Sequence, residues 1–195
     1  MSSTLFVHNH IKALIFDCDG TLIDSMPLHM EAWEHSIKSL KGEWDYDFFF
    51  SKKGKPDTEI VELYNLNYRS HLDAGQVAEI KDEYFYRHAD RLRPVAAVVE
   101  TAAHYRNILP MAVASGSSRK NVDFQLDTLG IKEYFSVILS ADDRLKPKPS
   151  PDIFLEAAKR MKVSPRECQV FEDAELGIEA ARNAGMYCTD VRLIG

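Results

Sequence analysis

Only three cysteines, Cys18, Cys168 and Cys188, occur in the 195 residues, an odd number, far apart, with no CxxC among them. That spacing excludes a disulfide framework and a cysteine-based zinc site, and predicts reduced thiols in a cytoplasmic setting. Long apolar runs are also missing, and none approaches the roughly 20 residues that a membrane-spanning helix needs. The opening MSSTLFVHNHIK lacks a basic flank followed by an apolar stretch, so no signal peptide is expected. Positive charge is in deficit, with 24 Lys and Arg against 30 Asp and Glu and a net charge of −6. This balance argues against wrapping nucleic acid or lying on an anionic membrane, although local lysines can still meet a small anion. Repeats and low-complexity tracts are absent. What remains, 45% hydrophobic and 28% charged, is the composition of a soluble globular protein, one domain or one with an insertion. Nothing in it demands more than a monomer.

Five short stretches read as buried strands: ALIF (13–16), MAVAS (111–115), SVILS (136–140), QVF (169–171) and YCTDV (187–191). Helical patterns separate the last four. RKNVDFQLDTLG places Val122, Leu126 and Leu129 on one face with Gly130 as C-cap. SPDIFLEAAKRMKV begins with Ser-Pro, an N-cap and N1 pair, and AELGIEAARNAG ends at Gly185. Alternating strand and helix predicts an α/β fold, a Rossmann-like parallel sheet with helices on both faces. Between the first two strands lies a segment far longer than a crossover needs. Its MPLHMEAWEHSIKSL, DTEIVELYNL and AGQVAEIKDEYFYRHADRL read as amphipathic helices. The expected organisation is a core of residues 1–24 and 94–195 with an inserted helical domain, 25–93.

The first strand runs into DCDGT. Side chains two apart on a strand point the same way, so Asp17 and Asp19 can look into one crevice while Cys18 points away. Ligands of open parallel sheets sit outside the carboxyl ends of the strands. A turn or a satisfied cap would also use these residues. The second strand ends in VASGSSRK, where the Ser115 hydroxyl and the amides of Gly116 and Ser117 form either a phosphate cradle or a plain N-cap. Within KPKPSPD, Lys148 stands between prolines that stiffen its loop, a setting for a fixed charge against a phosphoryl group. Lys146 reads as a solvated lysine. The fourth strand ends in FEDAE, placing Glu172 and Asp173 at the same edge. These would repel the first pair unless a hard cation bound them, and an oxygen-only set selects Mg²⁺ over zinc. A helix start could account for one of them without metal. Nucleophile, acid/base, cation and metal site together suit phosphoryl transfer.

With these motifs in place, the chain resembles the haloacid dehalogenase superfamily, and within it the β-phosphoglucomutase-like phosphatases with a helical cap. DCDGT, VASGS, KPSPD and FEDAELGIEAARNAGM carry the resemblance across nearly the whole chain, and the last stretch with DVRL looks most like the fructose-1-phosphate and 6-phosphogluconate phosphatase group. The resemblance implies that Asp17 is the nucleophile, forming an aspartyl-phosphate, and Asp19 the general acid/base. It implies that Thr21 and Ser115 bind phosphoryl oxygens, that Lys148 offsets their charge, and that Mg²⁺ is held by Asp17, Asp173, the Asp19 carbonyl and Glu172, the last directly or through water. In the cap it points to His29 and Lys81 as residues that couple closure to catalysis or touch substrate. The mutases carry an arginine a few residues after a glycine in the cap loop; here SKKGKPDTEI offers Lys55, Pro56 and Asp57, with Lys52, Lys53 and Lys55 able to greet an anionic substrate.

The expected activity is Mg²⁺-dependent hydrolysis of a small sugar phosphate or sugar-acid phosphate. A mutase on the same fold is the first rival. A phospho-accepting receiver domain is the second, disfavoured by the long insert and by the Asp-x-Asp-Gly-Thr string.

Overall fold

The computed structural model describes residues 4–53 and 55–193. In chain order its elements are β1 (Ala13–Phe16), β2 (Ile23–Asp24), α1 (Met26–Ser39), α2 (Tyr46–Phe50), α3 (Asp57–Tyr68), α4 (Ala74–Arg87), β3 (Arg93–Pro94) and α5 (Ala96–Tyr105). There follow β4 (Met111–Ala114), α6 (Arg119–Thr128), β5 (Val137–Leu139), α7 (Asp152–Met161), β6 (Cys168–Glu172), α8 (Glu175–Asn183) and β7 (Tyr187–Asp190). The chain divides into two compact units, Met1–Asp24 with Arg93–Gly195, and Ser25–Leu92.

The first unit is an α/β layer structure. Its five-stranded sheet has the order β5-β4-β1-β6-β7, and every pair is parallel. β1 is central, and all four of its residues are 0% exposed, which explains an apolar run without alternation. Ala13 and Ile15 join a core with Ala112, Ala114, Val170 and the inner faces of α7 and α8. Leu14 and Phe16 point the other way, where Phe16 stacks on Phe171 at 4.8 Å. The register aligns Phe16 with Val113 and with Phe171. Asp17, Ala114 and Glu172 therefore leave the sheet at one level, where the strand order reverses around β1.

The expected C-caps hold: Gly130 and Gly185 follow α6 and α8 at φ of 64° and 70°. Several element ends differ from the sequence reading, two of them for a visible reason. Helix α7 starts one residue late, with Pro151 rather than Ser150 at the N-cap, because the Ser150 hydroxyl donates to Asp152 instead. The third helical pattern of the insert stops at Arg87, and a separate 3-10 turn, Ala89–Arg91, carries its tail. Helices α2 and α5 and the antiparallel β2–β3 pair are additions to the sequence reading.

The second unit is helical. α1 and α3 both pack on α4, around Met30, Trp33, Ile37, Phe49, Ile60, Val61, Tyr64 and Val77. No helix among the described residues is long and apolar enough to cross a membrane.

Candidate active site

The chain turns sharply after β1. The amides of Thr21, Leu22 and Ile23 all donate to the Cys18 carbonyl, and Gly20 N–H donates to Ile23 O at 2.7 Å. Gly20 adopts φ +83°, and a Cβ there would lie 2.5 Å from Asp173 Oδ2. Only glycine both reaches this backbone region and leaves room for the carboxylate. The turn brings the β1 and β6 ends together, and Thr21 Oγ1 donates to Asp173 Oδ1 at 3.2 Å.

Asp17, Glu172 and Asp173 form one buried cluster, each offering a carboxylate oxygen within 4.8 Å of the others. Lys148 Nζ donates to Asp17 Oδ1 at 2.7 Å and to Glu172 Oε1 at 2.5 Å. The second oxygen of Glu172 accepts from Ala174 N–H at 2.7 Å. Burial drives the Asp17 carboxyl well above the usual carboxylate range; Lys148 opposes that shift, and Glu172 and Asp173 add to it. Burial alone would lower the Lys148 ammonium, but Asp17 and Glu172 hold it above its ordinary value. One lysine against three buried carboxylates leaves the cluster short of positive charge. Hard oxygen donors, no histidine or thiolate in the set, and glycine-made space beside Asp173 fit a divalent cation such as Mg²⁺.

Asp19 lies in a different network. Its Oδ2 accepts from Ser117 Oγ at 2.6 Å and its Oδ1 from Gln125 Nε2 at 2.9 Å. The two aspartates of the Asp-x-Asp string therefore have different neighbours, Asp17 a lysine and carboxylates, Asp19 a serine hydroxyl and a glutamine amide among its partners. Beside them, Ser115 is 1% exposed, and its oxygen accepts from Ser117 N–H at 3.0 Å.

Several sequence expectations are adjusted by these contacts. The Ser117 amide, expected from the sequence to face a phosphate, donates to the Ser115 hydroxyl oxygen instead. The Thr21 side chain is fully buried and given to Asp173, not turned to a phosphoryl group. In the helical unit, Lys81 is 3% exposed and pairs with Asp57 at 2.7 Å, its Nζ 5.1 Å from the Trp33 ring centre. Within that unit the Asp57 carboxylate and the Trp33 indole face compensate the buried ammonium. Lys55 pairs with Glu59 one helical turn on. His29 is buried and stacks on Phe85 at 4.3 Å.

A family model described as haloacid dehalogenase-like hydrolase matches residues 11–185. The chain belongs to the haloacid dehalogenase-like hydrolases. Among curated relatives it is 36% identical over 190 residues to fructose-1-phosphate phosphatase YqaB of Escherichia coli, covering 96% of this chain and 100% of that one. It is 29% identical to the β-phosphoglucomutase of Bacillus subtilis, over 93% of this chain and 83% of the relative. The crystal structure of CbbY from Rhodobacter sphaeroides in complex with phosphate superposes with a TM-score of 0.80 at 26% identity, covering 91% of this chain and 84% of that one.

Two residues of this hydrolase's site were not picked out from the sequence. Gly177 lies inside α8, and a Cβ there would stand 1.8 Å from Glu172 Oε1. A glycine within a helix that begins just after Glu172-Asp173 was the available signal. Gln125 is 0% exposed on α6, and a polar residue in the buried stripe beside Val122 and Leu126 was its signal.

Proposed function

We propose that this chain is a phosphatase acting on a small sugar phosphate or sugar-acid phosphate through an aspartyl-phosphate. One observation carries the reading: Asp17 and Asp19 stand together at the end of β1 in two unlike environments, which suits two unlike roles. Asp17 Oδ attacks phosphorus, the ester P–O bond breaks, and the proton on Asp19 goes to the departing alkoxide. Water then attacks phosphorus, its proton goes back to Asp19, and the bond to Asp17 breaks to free phosphate. Lys148, bound to Asp17, holds the nucleophile in place and offsets phosphoryl charge, and the Ser115 hydroxyl and Gly116 amide donate to phosphoryl oxygens. Asp17, Glu172 and Asp173, with the Asp19 carbonyl, would hold Mg²⁺, which when bound supplies positive charge against the phosphoryl oxygens and favours ionised Asp17.

The likeness to a fructose-1-phosphate phosphatase along the full chain supports this substrate class. Mutase relatives share the fold, but in this chain the cap-loop neighbourhood of their arginine holds Lys55, paired with Glu59, and Asp57, paired with Lys81. Phosphate release measured across fructose 1-phosphate, 6-phosphogluconate and β-glucose 1-phosphate tests the reading. Stoichiometric phosphate from at least one is expected, and Asp17→Asn should abolish it while leaving circular dichroism unchanged. Isomer formation primed by a bisphosphate, without net phosphate, would replace the phosphatase reading with a mutase.

A further inference from the structure

Helix α6 turns Asn121, Val122, Gln125 and Leu126 inward. Gln125 is 0% exposed, its Nε2 donates to Asp19 Oδ1 at 2.9 Å, and its buried Oε1 has no hydrogen-bond partner among the described residues. A desolvated, unbonded amide oxygen is unfavourable, and a leucine beside Val122 and Leu126 would carry no such penalty. Packing therefore does not explain the glutamine. Its one satisfied end does, since that end holds a carboxyl.

Ser117 Oγ holds the other oxygen of Asp19. A hydroxyl rotates freely, so the Ser117 bond by itself does not fix the plane of the carboxyl. Two donors, one per oxygen and from separate parts of the chain, fix both its rotamer and its plane. The amide also stays uncharged at every pH, so it orients Asp19 without competing for its proton.

We propose that Gln125 is the positioning residue for Asp19, fixing the carboxyl in the orientation from which it exchanges a proton with the leaving alkoxide. This rests on the acid/base role given to Asp19 above. A misplacement of about 1 Å costs on the order of 100-fold in rate.

The test uses Gln125→Leu, with Gln125→Met as a second variant that keeps the length and drops the donor. With fructose 1-phosphate, or whichever alkyl phosphate the wild type turns over, kcat is expected to fall by about 100-fold with KM within about twofold. With p-nitrophenyl phosphate, whose leaving group departs without a proton, the fall in kcat/KM, which excludes the water step common to both esters, should be at least tenfold smaller than with the alkyl phosphate. In an Asp19→Asn background Gln125→Leu should cost nothing further. Equal losses of kcat/KM on both esters, a loss carried by KM, or an additive loss in the double variant would each overturn the proposal. Crystal structures of wild type and Gln125→Leu give a readout that needs no turnover, so it survives failure of the phosphatase reading. Asp19 should leave its wild-type rotamer in the variant, and an unmoved carboxyl would equally overturn the proposal.

Discussion

A methyl group at position 177 would come within 1.8 Å of Glu172 Oε1 and 2.1 Å of its carboxyl carbon. Glu172 has little freedom to yield, being 1% exposed and held by Lys148 on one oxygen and the Ala174 amide on the other. Alanine is otherwise the better helix residue, so at an ordinary position Gly177→Ala would stabilise α8. Here it should destabilise by about 1–3 kcal/mol through overpacking. Displacing Glu172 should also weaken Mg²⁺ activation by about 10- to 100-fold, as loss of a group that orients a metal ligand does. Phosphate release across a Mg²⁺ titration, beside thermal unfolding, measures both. An alanine variant with wild-type Mg²⁺ dependence would mean that Glu172 has no part in holding the ion. At this scale the sequence showed the acidic and basic groups, because each follows a strand and strand ends converge. It could not show who holds whom. The Gln125–Asp19 bond joins residues 106 positions apart, and the Thr21 hydroxyl finds Asp173 152 positions away. Such pairings depend on tenths of an ångström that periodicity does not encode.

Among the elements, legibility followed burial. β1 and β4 are central strands marked by unbroken apolar runs, and central β6 was read from QVF although its Gln169 is a buried polar residue. β2 and β3 have two residues each and carry no pattern to read. Helix α2 has five residues and is defined less by its own sequence than by a tie to α3. Asp45 caps α2 by accepting from Phe48 N–H, and its other oxygen accepts from the Tyr68 hydroxyl at the end of α3. Burial and the Asp45 carboxylate push the Tyr68 phenol up to about 12, and the hydrogen bonds that the Tyr68 hydroxyl and the Phe48 amide each donate to Asp45 hold its carboxyl below its usual value. The signs of the two linkages are opposite. Asp45 stabilises the fold above the unfolded carboxylate value of about 3.9, and the gain is lost as pH falls through its lower folded value. Tyr68 stabilises below the unfolded phenol value of about 10, and the gain is lost as pH rises from there through its raised folded value. The thermal midpoint of the helical unit should therefore drop more between about pH 9.5 and 11.5 in wild type than in Tyr68→Phe. Tyr64 and Tyr86 are also raised in this unit, so the difference between the two proteins, not the wild-type slope, isolates Tyr68. Parallel slopes would show that the α2–α3 tie adds nothing.

Across the whole molecule, the buried carboxylate cluster and the tryptophans fall in different units. Asp17, Glu172 and Asp173 all lie in the α/β unit, whereas both tryptophans, Trp33 and Trp44, lie in the helical one. Without a cation, Lys148 pairs with Asp17 and Glu172 while Asp173 stands within the same cluster, and repulsion among the carboxylates works against folding. A cation that binds only the folded cluster stabilises by mass action, by about 2.7 kcal/mol at 100 times its dissociation constant. For a chain of this size that corresponds to a rise in midpoint on the order of 5–10 °C. Far-UV circular dichroism, which sees both units, should register the Mg²⁺ shift more strongly than tryptophan fluorescence, which reports from the helical unit. Asp173→Asn separates repulsion from binding. It removes one charge yet keeps an oxygen for the Thr21 hydroxyl, so the metal-free variant should be as stable as wild type or slightly more so. The same substitution should abolish most of the Mg²⁺ shift and the phosphate release together. A variant less stable than wild type without metal would mean that Asp173 serves the fold through its charge. A variant that kept the full Mg²⁺ shift would place the ion elsewhere.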